Sequence, residues 1–258
     1  MQLHKVAGVA RRLDDVLSRL IFTFAILLFL FGTYVIWDNI RIENNANSDD
    51  FIQYKPSADD ADSYTLKELK RINPDVCAWI TVKDTHIDYP VVLGQDNMEY
   101  INKDVKGEFS YSGSIFLDSR NKKDLSDPYL VMYGHHMNKN GMFSDVSNFL
   151  EQKYLESHQV GYLFGDGFVR RIHFFACCSI NAADAVVYNV DATNQQGTAT
   201  LLKYVQSKAK TYLSDGNYTQ GDVVALSTCA EATTNGRFVL FGILGPYEYA
   251  QPKEHKVN

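Results

Sequence analysis

Cysteine is scarce in this sequence, with four in 258 residues at positions 77, 177, 178 and 229, so each one is weighed as disulfide partner, metal ligand, nucleophile or plain core residue. Spacing narrows the choice. There is no C-x-x-C, and Cys177 and Cys178 are neighbours in FFACCSI, where strand alternation sends them to opposite faces; that suits neither zinc nor a shared disulfide. Alternation groups Cys178 with Ile172, Phe174 and Ala176, which is a core pattern, while Cys77 flanks a predicted strand start. Cys229 differs. It closes Leu226-Ser227-Thr228-Cys229 behind the apolar run 223–226, where a buried strand emerges into a loop and a nucleophile can be displayed.

A thiol nucleophile needs a base or a cation beside it, because the thiolate attacks and a free thiol with a pKa of about 8.5 is mostly protonated at neutral pH. Of the seven histidines, His4 precedes the apolar N-terminal run, His255 lies in the tail, and His86, His158 and His173 stand alone, as structural or exposed histidines do. His135 and His136 follow Tyr133-Gly134 at the end of YLVMY, another strand-to-loop junction. Arg237 opens the apolar run RFVLFGIL after the turn 233–236. If the strands flanking that turn pair as a hairpin, Arg237 lies near Cys229 and its guanidinium can reach a developing oxyanion; spacing alone slightly favours an exposed strand-end charge instead. No metal-ligand constellation is visible, and no cofactor is expected.

These residues need elements to position them. About eight β-branched and aromatic runs, separated by Gly, Asp and Asn turns, predict strands at 78–83, 86–92, 114–117, 129–133, 161–164, 168–178, 223–226 and 238–243. That number suggests a barrel or sandwich. Tyr64–Ile72 places Leu66, Leu69 and Ile72 at helical spacing, and helical character returns at 146–154 and 199–212. Residues 64–258 are assigned to one β-rich extracytoplasmic domain, and 38–63, polar and acidic, to a linker or N-terminal extension.

Ahead of the linker, 20–37 (LIFTFAILLFLFGTYVIW) carries no charge; eighteen helical residues rise about 27 Å, close to the roughly 30 Å hydrocarbon core of a bilayer. A cleaved signal peptide is the rival, opposed by the length of the run and by the sequence Asp38-Asn39-Ile40-Arg41 where a small-x-small site would stand. Lys5, Arg11, Arg12 and Arg19 against Asp14 and Asp15 give residues 1–37 a charge of +2 and leave −8 for the remainder. The positive-inside rule then makes 1–19 a cytoplasmic N-terminus, 20–37 a single-pass anchor in the cell membrane, and the rest extracytoplasmic. The acidic bulk argues against nucleic acid as a partner.

Asn73-Pro74-Asp75, Trp79-Ile80, Ile87-Asp88-Tyr89-Pro90-Val91-Val92, Gly113-Ser114-Ile115-Phe116-Leu117-Asp118, Tyr133-Gly134-His135-His136-Met137, Leu226-Ser227-Thr228-Cys229 and Arg237 occur in that order. In this series the sequence resembles the class B sortases of Gram-positive bacteria from about Asn73 to Leu244, with Ala78 standing where the family pattern has Gly. The resemblance implies a mainly β fold: a closed eight-stranded sortase-type barrel with an N-terminal helical extension, and a helix in the connection before the Cys strand at 199–212. It implies Cys229 as nucleophile, His135 rather than His136 as general acid/base because it directly follows Gly134, and Arg237 as the cation that stabilises the oxyanion or orients substrate. Ser227 and Thr228 would shape the peptide groove, and Tyr188 would border it.

The implied activity is transpeptidation. A C-terminal sorting signal of a secreted protein is cleaved after Thr through a thioester, and the acyl group passes to an amine, expected to be that of the peptidoglycan cross-bridge. Three alternatives accompany it: a pilin-polymerising sortase, a plain cysteine endopeptidase that hydrolyses the acyl-enzyme, and a non-catalytic membrane-anchored binding protein.

Overall fold

The computed structural model describes residues 2–45, 51–56, 64–137, 141–229 and 235–249. Two compact units divide the chain, Met1–Asn44 and Asn45–Asn258. The first consists of helix α1, Gln2–Asn45. Within its stretch Leu13–Asp38, 18 consecutive residues reach a mean hydropathy of 2.3 and none of them is buried, so the helix is long and apolar enough to cross a membrane. Thr23 and Thr33 return their hydroxyls to the carbonyls of Arg19 and Phe29, each at 2.8 Å, which satisfies these polar groups inside the helix.

The second unit opens with residues 51–56. The linker reading assigns them to a loose segment, but Phe51 and Tyr54 pack on an apolar cluster, Pro56 is buried and Lys55 pairs with Asp88 at 2.5 Å. Residues 46–50 and 57–63 lie outside the described ones. Helix α2, Tyr64–Ile72, follows. It buries Leu66 and Leu69, a contribution of about 1.5–3 kcal/mol each, whereas Ile72, at its last position, stays 48% exposed.

Ten strands then form one sheet: β1 Val76–Val82, β2 Asp88–Val92, β3 Ile115–Leu117, β4 Tyr129–Tyr133, β5 Val160–Phe164, β6 Phe168–Asn181, β7 Ala209–Tyr212, β8 Asp222–Cys229, β9 Gly236–Leu244 and β10 Glu248–Tyr249. The path β6-β5-β1-β2-β3-β4-β8-β9 closes on itself through pairing of β9 with β6. This is the closed eight-stranded barrel that the resemblance implies; β7 and β10 attach to β6 outside the ring. Period-two alternation in β1 divides the core, with Ala78, Ile80 and Val82 in the main cluster and Trp79 in the smaller one beneath α2. Trp79 satisfies its indole N–H on Asp88, at 2.7 Å.

Two predicted helices are corrected. The 199–212 segment is helix only over Ala199–Lys208, here labelled α5; Ala209–Tyr212 turns extended because its backbone pairs with Ala176–Cys178 of β6. The 146–154 segment is a 3₁₀ stretch, Ser144–Leu150, then extended Glu151, then helix α3, Gln152–Ser157. Helix α4, Val190–Gln196, is absent from the sequence reading because VDATNQQ offers no apolar stripe.

Candidate active site

Strand direction assembles the site. β4 and β8 run parallel, with Tyr133 opposite Ser227, so both leave the barrel at the same end. β9 runs antiparallel to β8 and enters at that end, with Arg237 as the cross-strand partner of Cys229. The Gly134 N–H extends the ladder by donating to the Ser227 carbonyl at 3.1 Å, which brings the His135 backbone alongside the Ser227-Thr228-Cys229 strand end. Residues 129–132 of β4 and 223–226 of β8 are buried whichever face they occupy, as in parallel central strands, and this buries the ladder that fixes the register. The turn residues 230–234 lie outside the described ones.

His135 is half-buried, and its Nε2 lies 2.9 Å from the carbonyl oxygen of Ile101. A carbonyl only accepts, so this bond requires the proton on Nε2 and leaves Nδ1 as the basic nitrogen of the neutral ring. Two glycines make that placement possible. Gly134 leaves room for Ile115 and Phe143, whose side chains would lie 2.5 and 2.8 Å from an added Cβ. Gly113, at φ +60°, lets its backbone press against the Ile101 carbonyl, which would be 2.3 Å from a Cβ there.

A cleft of ≈ 360 Å³ opens on these residues, within the size range of ligand-binding clefts. Ile101, His135, Ser227, Thr228 and Arg237 line it, and His136 does not; that residue is exposed and bridges to Met142. Arg237 is half-buried and donates from one terminal nitrogen to the Gly236 carbonyl at 2.9 Å. The Ser227 and Tyr188 hydroxyls lie 2.9 Å apart. Thr228 is 2% exposed, and its hydroxyl has no hydrogen-bond partner among the described residues. Phe116, Tyr133 and Tyr188 form an aromatic wall, with ring centroids 5.3 and 6.2 Å apart in succession.

Sequence reasoning missed a buried carboxylate behind this wall. Asp118, fully buried, accepts from the Tyr133 hydroxyl at 2.8 Å, from Asn97 Nδ2 at 3.0 Å, and from Arg120 through Nε and one terminal nitrogen at 2.8 and 2.7 Å. Burial pushes its carboxyl up, but the Arg120 side chain and N–H and the Tyr133 hydroxyl outweigh it and hold the pKa below the usual carboxylate range. The same burial, with Asp118 opposite, raises the Tyr133 phenol. Asp118 closes the Gly113–Asp118 motif, but a motif gives no sign of which distant side chains its last residue gathers.

The other cysteines and histidines lie elsewhere. Cys77 and Cys178 are buried and their thiols are pushed up to about 12 by that burial; burial raises the Cys177 thiol as well. Thiols so protonated are inert packing groups. His86 pairs with buried Asp145 at 2.9 Å, His158 stacks on Tyr154 and His173 meets the Tyr218 hydroxyl at 2.8 Å. Among the described residues, no group of three His, Cys, Asp or Glu could hold a metal ion.

No family model matches the chain. It is 31% identical over 169 residues to Sortase B of Staphylococcus aureus, a match covering 65% of this chain and 68% of that protein. It is also 38% identical over 93 residues to Sortase B of Listeria monocytogenes, covering 36% of this chain and 38% of that one. Among solved structures, a cysteine-to-serine mutant form of Clostridium perfringens sortase B superposes with a TM-score of 0.69 at 30% identity, over 77% of this chain and 96% of that one. A Streptococcus pyogenes class B sortase involved in pilus biogenesis gives 0.63 at 39% identity, over 69% and 96%. With the barrel, its strand order and this level of identity in agreement, the chain belongs to the class B sortases, which are cysteine transpeptidases.

Proposed function

We propose that the chain is a membrane-anchored transpeptidase that cleaves a C-terminal sorting signal of secreted proteins after Thr and transfers the new carboxyl end to an amine of the cell wall. The observation that carries this reading is the shared end of β4, β8 and β9, where Tyr133 faces Ser227 and Cys229 faces Arg237. The thiolate of Cys229 attacks the Thr carbonyl, and the oxyanion that forms is stabilised by Arg237 and by backbone N–H groups. His135 donates a proton from Nδ1 as the C–N bond breaks and the amine leaves, giving a thioester. The acceptor amine then attacks, His135 takes its proton, and Cys229 leaves as the amide forms. Ser227 and Thr228 form part of the floor that receives the peptide. Two relatives support the partners: a Staphylococcus aureus sortase B solved as a substrate complex and a sortase B solved with triglycine.

α1 supplies the anchor through 20–37, with 1–19 cytoplasmic and the catalytic domain outside the membrane. Polymerisation of pilins is the second reading, favoured by the 39% identity to the sortase involved in pilus biogenesis. The test incubates the full chain in detergent with peptides of the Asn-Pro-x-Thr and x-Pro-x-Thr-Gly kinds, with and without an oligoglycine or diamino-acid acceptor, and analyses products by mass spectrometry. Cleavage after Thr, diverted to an amide by the acceptor and absent in Cys229→Ala, is expected. Hydrolysis unaffected by any amine would contradict the transpeptidase reading. Faster transfer to a lysine-bearing pilin peptide than to wall amines would favour the second reading.

A further inference from the structure

Apart from His135, Arg237 and Thr228, whose buried hydroxyl has no partner among the described residues, the polar side chains that line the cleft can be accounted for donor by donor. Asn97 spends both ends of its carboxamide inside the protein, Nδ2 on Asp118 at 3.0 Å and Oδ1 on the Ser119 N–H at 2.8 Å. Tyr133 donates to Asp118, and Tyr188 and Ser227 are engaged with each other. Arg120 is different. Two of its three side-chain nitrogens are gripped by the two oxygens of Asp118 and its own N–H donates to the same carboxylate at 3.0 Å, yet the side chain is 37% exposed and its other terminal nitrogen has no partner among the described residues. A planar guanidinium held along one edge presents the opposite edge in a fixed direction, and Arg120 lines the cleft that His135 and Arg237 line.

Charge narrows the ligand. Asp118 neutralises Arg120, so what the pair offers is a directed donor with no net charge, suited to a neutral carbonyl more than to a carboxylate. We propose that Arg120 is a specificity-determining contact of the acyl-donor peptide, donating from its outer edge to a carboxamide or backbone carbonyl oxygen, and that Asp118 is the positioning residue that aims it. This rests on the cleft receiving the sorting peptide, as proposed above.

The test measures kcat and KM of the full chain for the best-cleaved peptide of the Asn-Pro-x-Thr and x-Pro-x-Thr-Gly panel, together with the rate of Cys229 modification by a methanethiosulfonate reagent. Arg120→Gln is expected to raise KM about tenfold with kcat within about twofold, the signature of a lost ground-state contact. Modification of Cys229 should be unchanged. Arg120→Lys should recover little, because an ammonium cannot both hold Asp118 and reach the peptide. Asp118→Asn should raise KM to a similar degree, and the double variant should be no worse than either single one. Should buried Asp118→Asn fail to fold, Arg120→Gln, altered at a part-exposed side chain, decides alone. An unchanged KM in Arg120→Gln, or kcat and thiol modification falling together, would overturn the inference while leaving the transpeptidase in place. A wild-type chain that cleaves no peptide of the panel would overturn the cleft reading and this inference with it.

Discussion

The two sides of the cleft are held by different means. The Cys229 side is fixed by backbone: β8 sits between β4 and β9 in a hydrogen-bonded ladder of five and eight residue pairs. The Arg120 side is fixed by side chains, with Asn97, Arg120 and Tyr133 all ending on one buried carboxylate. The contrast separates two tasks. A ladder sets which residues meet, which chemistry requires; a side-chain hub sets how a wall is shaped, which recognition can vary from one relative to another without disturbing the reacting groups.

Substitutions on the ladder side should therefore act on turnover, and those on the hub side on binding. The largest effect is expected from Cys229→Ala, which should lower acyl transfer by about 10⁴-fold or more, read as kcat/KM in a fluorogenic peptide assay. His135→Ala should cost about 10²–10⁴-fold in kcat, and its loss should abolish the two-limbed pH–rate profile expected of a thiolate–imidazolium pair. Arg237→Ala should lower kcat by about 10²–10³-fold with a small change in KM. A KM effect alone for Arg237 would move it from the ladder side of the contrast to the recognition side.

Smaller effects sharpen the same comparison. Gly113→Ala would place a Cβ 2.3 Å from the Ile101 carbonyl that accepts from His135, so kcat should fall about tenfold to a hundredfold as the ring loses its anchor. The pH dependence of stability isolates the hub. Asp118 titrates lower in the folded protein than in the unfolded chain, where a carboxyl titrates at about 3.9, so as pH falls the unfolded chain takes up its proton first. Its contribution is present above that range and is lost as pH drops through it toward the lower folded value. Thermal midpoints measured from pH 6 downward should fall, and the fall should be shallower in Asp118→Asn.

The ladder side is also the side that could be read in the sequence. Cys229, His135 and Arg237 stand at junctions between apolar runs and turns, and a run that ends in a loop marks a barrel end whatever the strand order. Strand order itself was not readable from alternation; the resemblance supplied the closed barrel. The hub was invisible because Tyr133 and Asn97 lie 15 and 21 residues from Asp118 and reach it only through tertiary folding, while Arg120, two residues on, gives no sign by itself that the carboxylate is buried. The helix that turns into β7 failed for a related reason. Leu201, Leu202 and Val205 give a true helical stripe, but AKTY carries no local stop signal, and it becomes strand because β6 presents an edge to it.

The most direct test of the account is the site of acylation. The full chain, mixed with a sorting peptide and quenched in acid before an amine is added, should gain the mass of the peptide's N-terminal fragment, mapped by digestion to Cys229. Addition of an acceptor amine should discharge that adduct into an amide. An adduct on any other residue, or peptide cleavage that proceeds undiminished in Cys229→Ala, would contradict the assignment of the β4–β8–β9 end as the reacting centre.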